Sequence, residues 1–390
     1  MNRNFFTGRV GLQQRVLPEY RRPFLDSLAE VCQGGLSVFA GQPLAEENVN
    51  TTQILEIARY ARAHNRNFFP IQSNLYHCWQ SGLLAWLEDW QPEVLVVEAN
   101  ARYPSTRLAV RWMHSRGRPV IGWGLGAPPI HQIASSAPLP FRAMASWRRW
   151  ERVSLLRSMD ALIAYSRRGA QEYQSLDLPV KDIVVAPNAV SRRPKESLPP
   201  YRPASFSGTP VVLFVGRLQA RKRVDLLLQA CSDLPSRLQP RVWVVGDGPA
   251  RKDLEQFASR VYPQAEFLGP IHGPQLGSIF TSSDLFVLPG TGGLAVQQAM
   301  AHALPVIVAE GDGTQDDLVR PGNGMIVLPD DVLSLTAALG ECLSDPARLR
   351  QMGVESFRIV YDEVNVEAMV EVFVNTFNKV VDRDMGGFNN

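Results

Sequence analysis

Residues 285–308 read LFVLPGTGGLAVQQAMAHALPVIV, and the organisation of the chain can be read outward from them. Four apolar residues, Leu285–Leu288, run into Pro289-Gly290-Thr291-Gly292-Gly293, then a helical stretch follows and a second apolar strand begins at Val306. Strand, glycine turn, helix and strand in this order is the unit from which parallel sheets are built. Consecutive glycines let backbone amides approach a ligand, and the free N–H groups at a helix start favour an anion. Alone, such a turn serves tight packing as readily as phosphate binding. Earlier in the same half, the apolar run Val211–Val215 ends in Gly216, with Arg217 next and Lys222 at a helix start. A guanidinium and an ammonium at a strand end suit a diphosphate, although each alone is equally a solvated surface cation. Neither a strict GxGxxG nor a GxxxxGK[ST] loop occurs.

The alternation continues in both directions. In the second half, strands are expected at Val211–Val215, Val242–Val245, Ala265–Leu268, Leu285–Leu288, Val306–Val308 and Met325–Val327, with helices between them. In the first half, strands are expected at Arg9–Leu17, Leu36–Ala40, Val94–Glu98, Val120–Trp123, Ala161–Ala164 and Ile183–Ala186. Helices are expected at Thr52–Ala63, His77–Trp90, Thr106–Ser115 and Phe141–Ser158. Residues 190–208, rich in Pro, Ser and Arg and without an apolar period, read as a linker. The expected organisation is α/β: an N-terminal domain over 1–190, a linker over 191–208, a C-terminal domain over 209–364, and a C-terminal helix with tail over 365–390 that packs back on the first domain. Two doubly wound, Rossmann-like domains would face each other across a cleft at the C-terminal ends of their strands.

Composition narrows the function classes. At 390 residues with 45% hydrophobic and 20% charged residues, the chain fits two globular domains and has no apolar run of membrane-spanning length. The start, MNRNFFTGRVGLQQ, lacks the apolar core of a secretory signal, and the four cysteines lack metal-ligand spacing, so buried thiols in a reducing cytoplasm are expected. Residues 1–200 carry 24 Lys+Arg against 16 Asp+Glu, and the remainder 16 against 22. The first half therefore offers the better surface to an anionic partner such as a lipid headgroup or pyrophosphate.

The motifs of the second half, taken together, resemble the GT-B glycosyltransferases of family 4, the glycosyl transferases group 1. Matching pieces run in the family's order: GRLQARK (216–222), VVGDGP (244–249), FLGPI (267–271), SSDLFVLPG (282–290), GLAVQQAMAHALPVIV (293–308), GDGTQDDLV (311–319) and NGMIVLPDD (323–331), preceded by APN (186–188). The resemblance implies a GT-B fold and retaining, metal-independent transfer of a hexosyl unit from a nucleoside-diphosphate sugar, with no cofactor beyond that co-substrate. It implies that Arg217 and Lys222 hold the donor diphosphate, with Gly216 at the strand end. Ile271 and His272 would meet the base, and Thr291, Gly292, Gly293, Leu294 and Ala295 the phosphate and sugar. The family's paired glutamates are replaced here by Gly290 and Gln298; Gln298 retains an amide for a ribose hydroxyl, whereas Gly290 offers no side chain. Asp312 is the preferred substitute carboxylate, with a loop or helix-cap role as its alternative.

The first half resembles the family less. Glu98 and Asn100, ending the strand VLVVE, are candidates to accept or orient the acceptor hydroxyl, or are turn formers. His131 is a candidate to polarise a donor hydroxyl, or an incidental loop histidine. Arg15, Tyr20 and Arg21 suit a saccharide or pyrophosphate acceptor, or form a solvated loop. Residues 141–157 combine Trp147 and Trp150 with five arginines, a pattern for an anionic membrane surface or for a helix that buries its tryptophans. The expected partners are a UDP- or GDP-linked sugar and a saccharide or lipid-linked acceptor, with no nucleic acid, in the cytoplasm or peripheral at the inner membrane face, in surface polysaccharide or glycoconjugate synthesis. Two other readings stay open: a nucleotide-sugar epimerase of the same fold, and a non-catalytic nucleotide-sugar-binding paralogue.

Overall fold

The computed structural model describes residues 4–47, 49–127, 139–180, 182–311 and 313–386. His131 and Asp312 lie outside the described residues. Residues 1–188 with 366–390 form one compact unit and residues 189–365 a second.

The first unit is built on β1 (Val10–Val16), α1 (Arg22–Val31), β2 (Leu36–Gly41), β3 (Arg59–Arg62), β4 (His64–Phe68), β5 (His77–Ser81), α2 (Leu83–Trp90), β6 (Val94–Glu98), α3 (Thr106–His114), β7 (Val120–Gly124), α4 (Leu139–Leu156), β8 (Ala161–Ala164), α5 (Arg167–Gln174) and β9 (Asp182–Val185). Seven strands form a parallel sheet in the order β3-β2-β1-β6-β7-β8-β9, and β4 pairs antiparallel with β5 outside it. The order reverses between β1 and β6, which makes the ends of these strands a topological switch point.

Two expected helices are not found where the periodicity puts them. Residues 52–58 have no helix, and 59–62 form β3, an edge strand parallel to β2. The amides of Glu56, Ile57 and Ala58 all donate to Oδ1 of the buried Asp26 at 3.0–3.3 Å, which satisfies them without a helical ladder. Ile54 and Ile57, whose spacing suggested an apolar face, are exposed. The first part of 77–90 is β5, with only 83–90 helical. Its alternation is real, with Cys78 and Gln80 buried and Trp79 exposed, but one inward residue is a polar glutamine. Gln80 accepts from Gln13 at 2.8 Å and donates to Asn65 and to the Gln14 carbonyl. A fully bonded glutamine in a core hides a strand from an apolar pattern.

The second unit runs β10 (Val211–Val215), α6 (Val224–Ser232), β11 (Arg241–Val245), α7 (Arg251–Val261), β12 (Ala265–Gly269), α8 (Gly273–Ser282), β13 (Leu285–Leu288), α9 (Leu294–Ala301), β14 (Val306–Ala309), α10 (Thr314–Leu318), β15 (Gly324–Val327), α11 (Val332–Ser344) and α12 (Pro346–Asp362). Its six strands are parallel in the order β12-β11-β10-β13-β14-β15, with the switch point between β10 and β13. β13 and β14 are buried along their whole length, as expected for strands covered on both faces. Residues 191–208 form neither helix nor strand, yet Arg202 donates to the carbonyls of Ser283, Phe280 and His302 and so ties this stretch to the second unit.

The last helix, α13 (Val366–Gly386), belongs to the first unit. Phe373 meets Phe24 and Trp123 with ring centroids 4.9 and 5.2 Å apart, and Phe377 meets Phe6 at 5.5 Å. Buried Asp182 of β9 receives Lys379 and Arg383 of the same helix.

Candidate functional site

In the second unit, the loops after β10 and β13 flank the switch point, and they are bonded to each other. The loop after β10 passes through Gly216 and half-buried Arg217 into a short 310 turn, Ala220–Lys222. Lys222 is only 8% exposed, and its Nζ donates to the Thr291 carbonyl at 2.8 Å. The Thr291 amide donates to the Arg221 carbonyl at 3.1 Å, and the Arg221 guanidinium reaches Thr291 Oγ1. The ammonium is thus fixed beside the glycine turn, at the crevice where open α/β sheets bind ligands.

Each glycine here has a different reason. Gly292 and Gly293 have φ values of +71° and +150°, and Gly293 stands at the cap of α9. Gly290 has no positive φ, but a Cβ on it would lie 2.2 Å from the Arg221 carbonyl oxygen and 2.5–2.6 Å from the Lys222 backbone. Its lack of a side chain is what lets the two loops touch. Leu294 and Ala295 open α9, and half-buried Gln298 lies one turn further on. Ile271 packs on the core of the unit, and exposed His272 caps the start of α8. The VVGDGP stretch supports the cationic loop from below: Leu218 donates to the Asp247 carbonyl, and Gly246 and Gly248 pass so close to Gly216 and Leu218 that a Cβ would overlap their carbonyls.

A buried residue that sequence reasoning did not single out is Gln297. Its Oε1 accepts from the amides of Val190 and Ser191 at 2.6 and 3.1 Å, and its Nε2 donates to the Val364 carbonyl, joining both ends of the second unit. Its neighbour Gln298 carried the motif match, and nothing in the spacing distinguishes a structural glutamine from a ligand-facing one.

In the first unit, a cavity of about 570 Å³ opens at the C-terminal ends of β6, β7 and β8. Glu98 and Asn100 line it, whereas Arg15, Tyr20 and Arg21 do not. Arg15 is ion-paired with Glu47. Arg21 is buried, lies 4.2 Å from the Trp123 ring centroid, and donates to Asn188 Oδ1 and the Tyr165 hydroxyl. Tyr20 is partly exposed, and the Arg21 guanidinium sits 5.5 Å over its ring. Burial pushes the Glu98 carboxyl above its ordinary range, outweighing the charges of Arg15 and Arg21 and the Tyr103 hydroxyl. Its Oε2 is shielded from solvent without a hydrogen-bond partner among the described residues, as is the indole N–H of Trp123. Asn100 Oδ1 accepts from the Arg102 amide at 3.1 Å.

Three further cations line this cavity: Arg102 after β6, which sequence reasoning did not single out, and Arg148 and Arg152 of α4, which the sequence suggested only as part of a membrane-facing or solvated helix. The four-residue spacing of the latter two on one helix face was the available signal. On the same helix Trp147 and Trp150 are 44% and 65% exposed, so neither ring is buried in the core. Among the described residues, no helix is long and apolar enough to cross a membrane, and no group of three or more His, Cys, Asp or Glu residues is placed to hold a metal ion.

The match to a known family falls within the second unit. Residues 209–345 match the family model described as Glycosyl transferases group 1. A GDP-mannose-dependent alpha-mannosyltransferase of Mycobacterium tuberculosis is 34% identical over 205 residues, half of each chain. The sulfoquinovosyl transferase of Arabidopsis thaliana is 33% identical over 142 residues, 35% of this chain and 27% of that protein. The chain spans about half or less of the length of these curated relatives. Among solved structures, sucrose-phosphate synthase from Thermosynechococcus elongatus superposes with a TM-score of 0.73 at 18% identity, covering 96% of this chain and 99% of that one. The Anabaena protein HepE in complex with UDP gives 0.71 at 15% identity, covering 95% and 99%. By sequence, residues 209–345 are similar to the glycosyl transferases group 1, and by fold the chain, with its two Rossmann-like α/β units, is GT-B.

Proposed function

We propose that the chain is a retaining glycosyltransferase of family 4 that moves a hexosyl unit from a nucleoside-diphosphate sugar to an acceptor hydroxyl. The observation that carries this reading is the buried Lys222 ammonium held at the glycine turn, with Arg217 on the same loop and the start of α9 beyond it. Preorganised cations stabilise charge as it develops, which is what a departing diphosphate requires. The sugar C1–O bond breaks as negative charge gathers on the diphosphate against Arg217 and Lys222. The acceptor oxygen then bonds to C1 from the same face, and its proton passes to the departing diphosphate oxygen. Retention follows without a covalent enzyme intermediate, and Arg217 and Lys222 supply the positive charge that a metal ion supplies elsewhere. Ile271 and His272 border the base, while Gln298 offers an amide to the ribose.

A UDP- or GDP-linked donor is favoured because HepE was solved with UDP and several relatives are GDP-mannose-dependent. The exposed Trp147 and Trp150, with Arg149 between them, suit association with an anionic membrane face and hence a lipid-linked glycan acceptor in polysaccharide or glycoconjugate synthesis. One observation favours a second reading, a non-catalytic nucleotide-sugar binder: position 290 has neither a carboxylate nor space for one. Release of UDP or GDP from a panel of nucleotide sugars, with and without saccharide acceptors, separates the two. Lys222→Ala is expected to abolish release and to weaken nucleoside-diphosphate binding by calorimetry. Unchanged affinity in that variant would sink the assignment of the site.

A further inference from the structure

Three consecutive cations, Arg221, Lys222 and Arg223, follow β10, and each has a different setting. Lys222 is buried and bonded to the Thr291 carbonyl. Arg223 is ion-paired with Asp225 and Asp330. Arg221 is exposed, and its partners are two neutral side-chain oxygens: Nε donates to Gln219 Oε1 at 3.1 Å, and Nη1 donates to Thr291 Oγ1 at 3.3 Å. The second of these bonds is longer than an ordinary one. Nη2, which carries two more N–H groups, has no hydrogen bond and no ion pair among the described residues.

The Arg221 guanidinium lies at the glycine turn. A Cβ built on Gly292 would find Lys222 Nζ at 3.5 Å and Arg221 Nη1 at 3.7 Å, so both cations stand at contact distance from one point. Gly292 has a φ of +71°, and α9 starts two residues further on. An anion seated at this turn would therefore meet the ammonium, the guanidinium and the first amides of a helix together. A guanidinium resting on neutral oxygens exchanges them readily for phosphate, because a hydrogen bond between two charged groups is about twice as strong as a neutral one. Gln219 and Thr291 thus hold the Arg221 side chain at the turn without neutralising it.

We propose that Arg221 is a third phosphate-binding cation of the donor site, moving from Thr291 and Gln219 onto the terminal phosphate of the departing nucleoside diphosphate. As the bond between C1 of the sugar and that phosphate's oxygen breaks, the electron pair stays on the oxygen. The charge that gathers there is then met by a forked guanidinium in addition to Arg217 and Lys222. This role in the transfer step rests on the transferase reading above, but it makes a separate demand on binding. Arg221 must account for much of the preference of the site for a nucleoside diphosphate over the monophosphate.

The test is calorimetric binding of UDP, GDP and their monophosphates to the full-length protein, read without any turnover. Arg221→Ala is expected to weaken the tighter of the two diphosphates about tenfold or more, and its monophosphate less than about threefold. Two further variants separate a ligand contact from a brace between the loops. Arg221→Lys keeps the charge and is expected to recover part of the affinity; Arg221→Gln keeps an N–H donor for Thr291 without the charge and is expected to bind as poorly as the alanine variant. Arg237→Ala removes an exposed cation just before β11, at the opposite end of the strands, and is expected to bind like the parent. Circular dichroism and thermal melting establish that each variant is folded. Parent-like affinity in Arg221→Ala or Arg221→Gln, or an equal loss for mono- and diphosphate, overturns the proposal. If Lys222→Ala loses the diphosphate while every Arg221 variant keeps it, this inference falls and the site proposed above stands. Binding that depends on Arg221, without transfer from any donor, leaves Arg221 as a phosphate ligand and removes the transferase reading.

Discussion

Replacing Gly290 by alanine adds one methyl group where the two loops of the donor-side site meet. Because Gly290 does not use a positive φ, the substitution tests contact alone and not backbone freedom. The new carbon would lie 2.2 Å from the Arg221 carbonyl oxygen and 2.5 and 2.6 Å from the carbonyl carbon and Cα of Lys222. Ordinary contacts are about 3.5 Å, so backbone must move by about 1 Å, and no flexible side chain is available to absorb the shift. Overpacking of this kind costs about 1–3 kcal/mol. For a unit of this size that is a fall in Tm of about 2–12 °C by calorimetric melting. The displaced backbone carries Lys222, whose bond to the Thr291 carbonyl spans the same gap. Nucleoside-diphosphate affinity is therefore expected to fall on the order of tenfold as the ammonium is displaced. Gly340 is the control: it lies within α11, and a Cβ there finds its nearest neighbour, Leu234, at an ordinary 3.5 Å. Gly340→Ala is expected to stabilise by up to about 1 kcal/mol through helix propensity. If Gly290→Ala melts with the parent and binds nucleotide equally well, the account of the glycine turn is wrong.

Other substitutions probe the rest of the framework. Arg202→Ala removes one cation from three carbonyls and is expected to cost about 3 kcal/mol in urea denaturation; a loss indistinguishable from that of a surface arginine would mean that 191–208 is not anchored. Asp26→Ala is expected to accelerate hydrogen exchange at the amides of 56–58 and to destabilise by about 1–3 kcal/mol, since three amides share its Oδ1. For Asp182, burial alone would raise the carboxyl pKa, but Lys379 and Arg383 outweigh it and hold the group below its ordinary value. A folded-state pKa below the unfolded value stabilises above about pH 3.9 and is lost as pH falls through the folded value. Asp182→Asn is accordingly expected to be less stable at neutral pH and to show a shallower acid limb below about pH 4; parallel limbs for the two proteins would contradict this.

The second unit was legible almost to the residue because its strands are runs of Val, Leu, Ile and Phe bounded by glycine, as in Leu285–Leu288 and Val306–Ala309. Periodicity failed where polar residues do what apolar ones do elsewhere. Gln80 fills an inward strand position, and Asp26 captures three amides that a helix would otherwise have bonded. The candidate site divides along the same line. Backbone features such as the glycine turn are written in the sequence, since only glycine tolerates the close approach. Cation partners are not. Arg15 and Arg21 look as available as Arg102 and Arg148 until Glu47, Asn188 and Trp123 come beside them from elements distant in sequence.

The return of α13 to the first unit has a consequence for the order of events during synthesis. Residues 189–365 are contiguous and hold their own core, whereas the first unit draws Phe373 and Phe377 into contact with Phe24, Trp123 and Phe6. The ribosome makes the first unit's sheet first and its closing helix last. The second unit is thus able to reach its native state while the first waits, in the reverse of the usual N-to-C progression of domains. A nascent chain stopped at Asn365 is expected to be cut readily by protease within 1–188 and to resist within 189–365. For those intervening residues, the first unit's strands depend on chaperones or on local structure to keep their apolar faces from other chains.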